Sequence, residues 1–360
     1  YKSEITLLKK NEEHIAVIQA RMGSTRFSGK TMASIAGRPL LWHIIERLKR
    51  SVYLTKIVLA TSEAEENDIL EELSSKEKIF VIRGDEHDVL SRFEFAFEVY
   101  KPTTITRICG DCPLVEASFI DRSIEQIVQQ NVDYLKPDCS EVIHQGIETI
   151  SNFCFRQNLS FKDDPVVKEH VTPLIYKKSQ LYRIGTIRLF DYEKKSGIRF
   201  SVDTRSDLKF IRELYVKSGK GPSNLSIKEA LDLIERDPSL LEYNKHVIQK
   251  SASQKTEYIY FYHKGFINEY FLMLAQDYAE KSGFGVMFFT TEFNSDKMIK
   301  LNSYGFKVTH LKNDGEFLQL VFSDNPELIY TPLISLPTEL SDLYALEIEK
   351  KRKIYKLIKC

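Results

Sequence analysis

Three cations fall within ten residues near the start of the chain: Arg21, Arg26 and Lys30, set among Gly23, Ser24, Thr25, Ser28 and Gly29. Small residues let backbone N–H groups approach an anion and the cations add charge, so such a loop can wrap a chain of phosphates. A solvated basic loop would also carry the cations, but it has no need of glycines and hydroxyls between them. Neither the GxxxxGK[ST] spacing of a P-loop nor the GxGxxG of a dinucleotide fold is present. Further along, Asp111 stands in Cys109-Gly110-Asp111-Cys112-Pro113-Leu114, between a glycine and a residue restricted by the proline after it. A carboxylate with so few conformations suits a hard cation such as Mg²⁺, which takes oxygen ligands and needs only one or two carboxylates. The two thiols make a C-x-x-C, yet no second Cys or His pair lies at zinc-finger spacing, and Gly-Asp between them lacks the helix start of redox motifs. Asp203, in Arg199-Phe200-Ser201-Val202-Asp203-Thr204, reads either as a second carboxylate at a strand's end or as the cap of the helix through Tyr215. Asp207 reads as a first-turn residue of that helix.

Positioning these groups is the work of strands and helices that alternate. Ile15–Ile18 is a short apolar run of the kind buried on both faces, and it leads straight into the basic loop. Pro39 sits where a helix would begin, with Leu40, Leu41, Ile44, Ile45 and Leu48 at helical spacing. Strands follow at Lys56–Thr61, Ile79–Ile82, Thr104–Ile108, Val132–Leu135, Tyr182–Leu189 and Arg199–Thr204. Helices are expected at Glu63–Ser74, Val115–Gln130 and Leu225–Ile234, with another opened by Glu169-His170-Val171-Thr172-Pro173. Such alternation predicts a mainly parallel sheet with helices on both faces, whose ligands sit beyond the carboxyl ends of the strands. The loop after Ile18, Thr61 and Arg83–Asp88 would then converge on one edge.

At 360 residues the chain is long enough for two domains. Lys+Arg and Asp+Glu both count 51, so no global field favours nucleic acid or a membrane surface. No apolar run approaches the ~20 residues that span a bilayer. The first fourteen residues read as a short arm without the apolar core of a signal peptide. Opening on Tyr rather than Met suggests a piece of a longer protein. Five scattered cysteines, an odd number, fit reduced thiols in a cytoplasm.

Ile18–Lys30 followed by Ala36–Leu48 resembles the opening of the CMP-sugar synthetase superfamily of cytidylyltransferases. The branch named for spore-coat polysaccharide biosynthesis is closest, beside the acylneuraminate and Kdo cytidylyltransferases. That family ends the loop on Leu-Pro-Gly-Lys, where this chain has Phe27-Ser28-Gly29-Lys30. The likeness continues through Arg83, Gly84, Asp88 and Arg92 of RG-x-x-x-D-V-L-x-R, the GDCPL of Asp111, the EHVTP of His170 and the VDT of Asp203. Taken alone, Arg92 reads equally as a surface helix cation and His170 as a packed histidine.

The resemblance spans about Ile15 to Tyr243. It implies a Rossmann-like nucleotidyltransferase fold and transfer of a cytidylyl group from CTP to a sugar, an acidic 2-keto sugar by likeness to those branches. Arg21 and Lys30 would be catalytic and, with Arg26, hold the triphosphate. Asp111 and Asp203 would be catalytic as Mg²⁺ ligands. Ala20, Gly23, Ser24, Thr61, Arg83 and Asp88 would line the nucleotide. Gly146, Glu148 and His170 would meet the sugar, although Ile150 stands where the family has a second acid. A single-domain glycosyltransferase shares this topology, but its metal site reads Asp-x-Asp and Pro113 stands two residues after Asp111. A silent scaffold would not need both carboxylates and all three loop cations.

Residues 15–248 are thus expected to form the cytidylyltransferase-like domain, with 249–256 a polar linker. Residues 257–360 form a smaller α/β domain, in which strands at Tyr258–Tyr262, Val286–Thr291, Lys307–Leu311 and Leu318–Ser323 alternate with helices at Asn268–Lys281, Asp296–Tyr304 and Glu339–Lys359. This domain is similar to half of a nucleotide-sugar hydrolase or two-lobed glycosyltransferase. It lacks their Gly-His loop, so it is expected to serve a homodimer or a protein partner and no chemistry.

Overall fold

A computed structural model describes residues 12–24, 27–137, 142–194, 197–247, 258–263, 280–281, 285–291, 308–312, 316 and 328–330. The chain forms two compact units whose main division falls between Lys245 and His246. In the first, the elements in order are β1 (His14–Gln19), β2 (Ser34–Ile35), β3 (Arg38–Pro39), α1 (Leu40–Leu48), β4 (Lys56–Ser62), α2 (Asp68–Lys76), β5 (Phe80–Gly84) and α3 (Val89–Tyr100). Then come β6 (Thr104–Cys109), α4 (Ala117–Gln130), β7 (Tyr134–Pro137), β8 (Ile147–Ser151), α5 (Asn152–Leu159), α6 (Pro165–His170), α7 (Pro173–Lys177), β9 (Ile184–Ile187), α8 (Arg205–Ser218) and α9 (Ile227–Arg236).

Seven strands make one sheet in the order β5-β4-β1-β6-β8-β7-β9. Strand β1 is parallel to both neighbours, β4 and β6, and β8 alone runs against its neighbours β6 and β7. Ile15, Ala16, Val17 and Ile18 are fully buried, as a central strand covered on both faces requires. Ile15, Val17 and Ile105 pack with Phe93 and Phe97 of α3 and Phe155 of α5 in one core. The antiparallel β8 is not predicted above. Its sequence, Ile-Glu-Thr-Ile-Ser over Ile147–Ser151, breaks the apolar–polar alternation of a strand at Glu148-Thr149, and Gly146 and Glu148 read there as sugar-binding residues.

Two further expectations are corrected. Arg199–Thr204 is not a strand; it runs beside Asp111 and is held there by Val202 N–H donating to the Asp111 carbonyl (2.8 Å). Glu169–Pro173 does not open a helix but breaks one: α6 ends at His170, Val171 takes φ +65°, and α7 restarts at Pro173. Pro173 has no N–H with which to continue the α6 hydrogen-bond ladder, so it can only stand in the first turn of a new helix.

In the second unit, β10 (Tyr258–His263), β11 (Gly285–Thr290), β12 (Val308–His310) and β13 (Leu328–Tyr330) form a parallel sheet in the order β12-β11-β10-β13. The expected strand at Leu318–Ser323, the helices at Asp296–Tyr304 and Glu339–Lys359 and the linker lie outside the described residues, as does most of the helix at Asn268–Lys281. Among the described residues no helix is long and apolar enough to cross a membrane.

Candidate active site

Strand β1 delivers the chain to the carboxyl edge of the sheet, and the loop after it is tied down at both ends. The Thr31 hydroxyl donates to the Arg21 carbonyl (3.0 Å), and Met22 N–H donates to Asn67 Oδ1 (2.8 Å), with Asn67 fixed in turn to Ser62 (2.7 Å). Lys30 opens the short 3₁₀ turn Lys30–Met32 and points into the unit. Its ammonium donates to Asp111 Oδ2 (3.0 Å) and to Asp203 Oδ1 (2.9 Å), and only 13 % of its side chain is exposed. Burial works against that charge, yet the two carboxylates overcome it and hold the pKa above the ordinary lysine value.

Each carboxylate is placed by its own local device. Asp111 follows Gly110, where a Cβ would fall 2.5 Å from the Ala20 Cβ and 2.7 Å from the Gln19 carbonyl oxygen. Only glycine lets β6 pass so close to the end of β1. Asp203 lies just before α8, and its helix-capping alternative is taken by its neighbours. Thr204 is the N-cap, its hydroxyl accepting from Asp207 N–H, while Asp207 accepts from Thr204 N–H (2.9 Å) and Asp203 N–H (3.1 Å). Asp207 also pairs with Arg199 and Asn244, so it is a structural acid well beyond a first-turn residue. Asp203 is thereby released to face Lys30.

Cys112 Sγ lies 3.3 Å from Asp111 Oδ1 and 3.2 Å from the Gln145 carbonyl oxygen. Burial pushes the Cys109 thiol up to about 11 and Cys112 well above its usual range, so both stand as neutral thiols beside Asp111. Two carboxylates sharing one cation provide a hard oxygen donor set of the kind a divalent ion takes, and they fit Mg²⁺ better than a soft metal.

The remaining sequence-predicted residues divide. Ala20 is buried beside Gly110 and Gly23 stands over Glu66 and Glu86, while Ser24 lies in the same loop. Arg21 donates to Glu86 Oε1 (2.6 Å) and to its carbonyl (3.2 Å). Arg26 lies outside the described residues. Thr61 is fully buried at the end of β4 with its hydroxyl unpartnered. Arg83 does not join the Lys30 cluster: its guanidinium braces α2 through Asp68 (2.6 Å) and Glu71 (2.8 Å), and it also donates to the Ser62 and Ala64 carbonyls. Asp88 caps α3, accepting from Ser91 N–H (2.9 Å). Gly146, at φ +71°, backs onto the cysteines, its Cβ position 2.9 Å from Cys109 Cβ.

Glu148 receives Arg107 Nη1 (2.9 Å) from the adjoining β6 and the Thr172 hydroxyl from the α6–α7 break. Arg107 Nε also reaches Gln19 (3.2 Å). His170 is partly exposed, 4.0 Å from Glu169. Sequence reasoning missed Arg107, Gln19, Asn67 and Glu86. The first two could have been found from charge and amide groups in otherwise apolar strands, whereas no local signal marks the other two. A cleft lined by Cys112, Gln145, Phe200 and Ser201, among others, opens on this side of the unit.

Comparison with known proteins points one way. The profile of the family described as cytidylyltransferase matches residues 15–235. An uncharacterized protein of Methanocaldococcus jannaschii is 32% identical over 243 residues, covering 68% of this chain and 99% of that protein. The spore coat polysaccharide biosynthesis protein SpsF of Bacillus subtilis is 33% identical over 232 residues, covering 62% of this chain and 94% of its own length. Among solved structures, a cytidylyltransferase from Leptospira borgpetersenii is 25% identical with a TM-score of 0.59, covering 64% of this chain and 97% of that one.

Proposed function

The chain belongs to the cytidylyltransferase family, and from that membership we propose that it activates a sugar with CTP, giving a CMP-sugar and pyrophosphate. The observation that carries the proposal is the Lys30 ammonium held between Asp111 and Asp203 at the mouth of a cation-bearing loop. A sugar hydroxyl attacks the α-phosphorus while pyrophosphate leaves from the opposite side, so the protein's work is positioning and charge neutralisation. Arg21, Arg26 and Lys30 hold the triphosphate and the charge that develops on the leaving pyrophosphate. Asp111 and Asp203 would hold Mg²⁺, which when bound supplies charge that polarises the phosphate oxygens.

Ala20, Gly23 and Ser24 are assigned to the nucleoside as the resemblance implies, whereas Thr61 is fully buried at the end of β4 and cannot offer its hydroxyl to it. Arg83 and Asp88 drop out of that role because helices α2 and α3 occupy them. On the acceptor side, Glu148 and His170 flank the α6–α7 break, and Gly146 lets the turn before β8 sit tightly on the cysteines. The sugar is an acidic 2-keto sugar and its product feeds surface polysaccharide synthesis. Support comes from the likeness to the acylneuraminate and Kdo branches and from the name of the Bacillus subtilis relative. A balanced net charge suits a cytoplasmic enzyme of small substrates without a nucleic-acid partner.

Pyrophosphate release across the four nucleoside triphosphates and a panel of acidic and neutral sugars tests the reading, with Asp111→Asn and Asp203→Asn alongside. Release with CTP and an acidic sugar, lost in both variants with the fold intact, is expected. No release with any pair, or near-normal rates in a variant at saturating Mg²⁺, overturns the activity or that residue's role respectively.

A further inference from the structure

Arg92 projects from α3 into the interior and is only 2 % exposed. Among the described residues its Nε and Nη1, both buried, have no hydrogen-bond partner. A guanidinium stays charged in proteins, and leaving one buried with unmet donors is strongly unfavourable. The fold nevertheless makes a seat for it: a Cβ at Gly84 would lie 2.9 Å from Arg92 Cγ, so the last residue of β5 must be small.

The charged neighbours of Arg92 are Arg21, from the loop after β1, and three acids of the connection between β5 and α3. Burial first, and then the like charge of Arg21, hold the Arg92 pKa below the ordinary arginine value, while Glu86, Asp85 and Asp88 pull the other way. Asp85 is exposed and Asp88 caps α3, which leaves Glu86 as the carboxylate at the centre. Glu86 Oε1 accepts from Arg21 and lies 3.5 Å from where a Gly23 Cβ would be. Its second oxygen, Oε2, is buried, and although burial opposes it the Ser62 hydroxyl and Arg21 hold the carboxyl below its usual range. Arg21, Glu86 and, nearer still, Glu66 gather at Gly23, and the buried Arg92 donors beside them stay unsatisfied. A phosphate group, with more acceptor oxygens than a carboxylate and a geometry matched to guanidinium, answers that deficit.

We propose that Arg92 is a further phosphate-binding residue of the nucleotide site, and that Glu86 occupies the place of that phosphate when no nucleotide is bound. The inference rests on the reading of the loop after β1 as the triphosphate seat. Entry of the phosphate displaces the Glu86 side chain, pairs Arg21 and Arg92 across one anion and satisfies the orphaned donors.

Calorimetry and thermal shift with pyrophosphate and with CTP, on the full chain, test this in wild type, Arg92→Met and Glu86→Gln. Arg92→Met should raise the melting temperature of the free protein, since it removes an unpaired buried charge, and weaken pyrophosphate binding at least tenfold. Glu86→Gln should tighten pyrophosphate binding, because the competing anion is gone; a residue that merely braced Arg21 would not produce this gain. If Arg92→Met does not fold, Arg92→Lys replaces it, with a several-fold loss expected from losing the planar fork. Unchanged pyrophosphate affinity in the Arg92 variant, or no gain in Glu86→Gln, overturns the assignment. Wild type that binds neither CTP nor pyrophosphate overturns the nucleotide reading itself.

Discussion

Replacing Lys30 by Met keeps most of the side chain's length and removes the ammonium that two carboxylates share. Asp111 Oδ2 and Asp203 Oδ1 are then left at most about 5.9 Å apart, the two N–O distances laid end to end. At an effective dielectric of about 20, two full charges at that separation repel by roughly 3 kcal/mol. Removing one partner of a buried ion pair costs about 3–5 kcal/mol, the same order. For a unit of this size, ~3 kcal/mol corresponds to roughly 6–12 °C in Tm. The repulsion has a pH signature. Protonating either carboxylate removes the repulsion, so the variant's loss is smaller in acid than at neutral pH.

A divalent cation between the carboxylates removes the same penalty. Thermal unfolding of wild type and Lys30→Met at pH 5 and pH 8, with and without magnesium chloride, reads all of this. The variant should lose roughly 6–12 °C at pH 8, less at pH 5, and recover on adding Mg²⁺, while wild type responds little to Mg²⁺ alone. A variant as stable as wild type at pH 8 and indifferent to magnesium would refute both the shared-cation reasoning and the metal assignment.

Gly146→Ala should lower stability by about 1–3 kcal/mol, through a positive φ of +71° and a Cβ only 2.9 Å from Cys109; an unchanged denaturant midpoint would contradict the packing described. Acid stability should be set by two buried histidines. His43 donates through Nε2 to the Ile35 carbonyl (2.8 Å) and accepts at Nδ1 from Ser223 N–H (3.1 Å), and burial depresses His43 and His14 from 6.5 to about 4. Both are neutral when folded, so their contribution is present above about pH 6.5 and lost as pH falls toward 4, on the order of 3 kcal/mol for each. His43→Gln should flatten that limb of a stability-against-pH curve, and an unaltered limb would exclude His43 as its source. A chain ending at Gln249 should stay folded and turn over at the full chain's rate per site; a large loss with the circular dichroism intact would make the second unit part of the active site.

The residues of the chain, taken in order, were enough for the α/β class, the central buried strand at Ile15–Ile18, the cation-bearing loop and the restrained carboxylate of Asp111, while the choice of Asp203 as its partner came from the family resemblance. All but the last rest on patterns a few residues long, where hydrophobic period, glycine and proline act on the backbone directly. Which charge meets which was decided only by tertiary structure. Lys30 finds carboxylates 81 and 173 residues away, and Val202 is brought to Asp111 by one backbone hydrogen bond rather than by a strand. Arg83 and Arg92, nine residues apart and both matching one motif, end in different surroundings. Arg83 is spent on α2 at the sheet edge, whereas Arg92 is buried toward the loop, its Nε and Nη1 without a partner among the described residues. A long cation reaches several Å in any direction from its backbone, and the energy of its contact depends on burial and on neighbours from distant segments. Local sequence carries neither quantity, and packing supplies both.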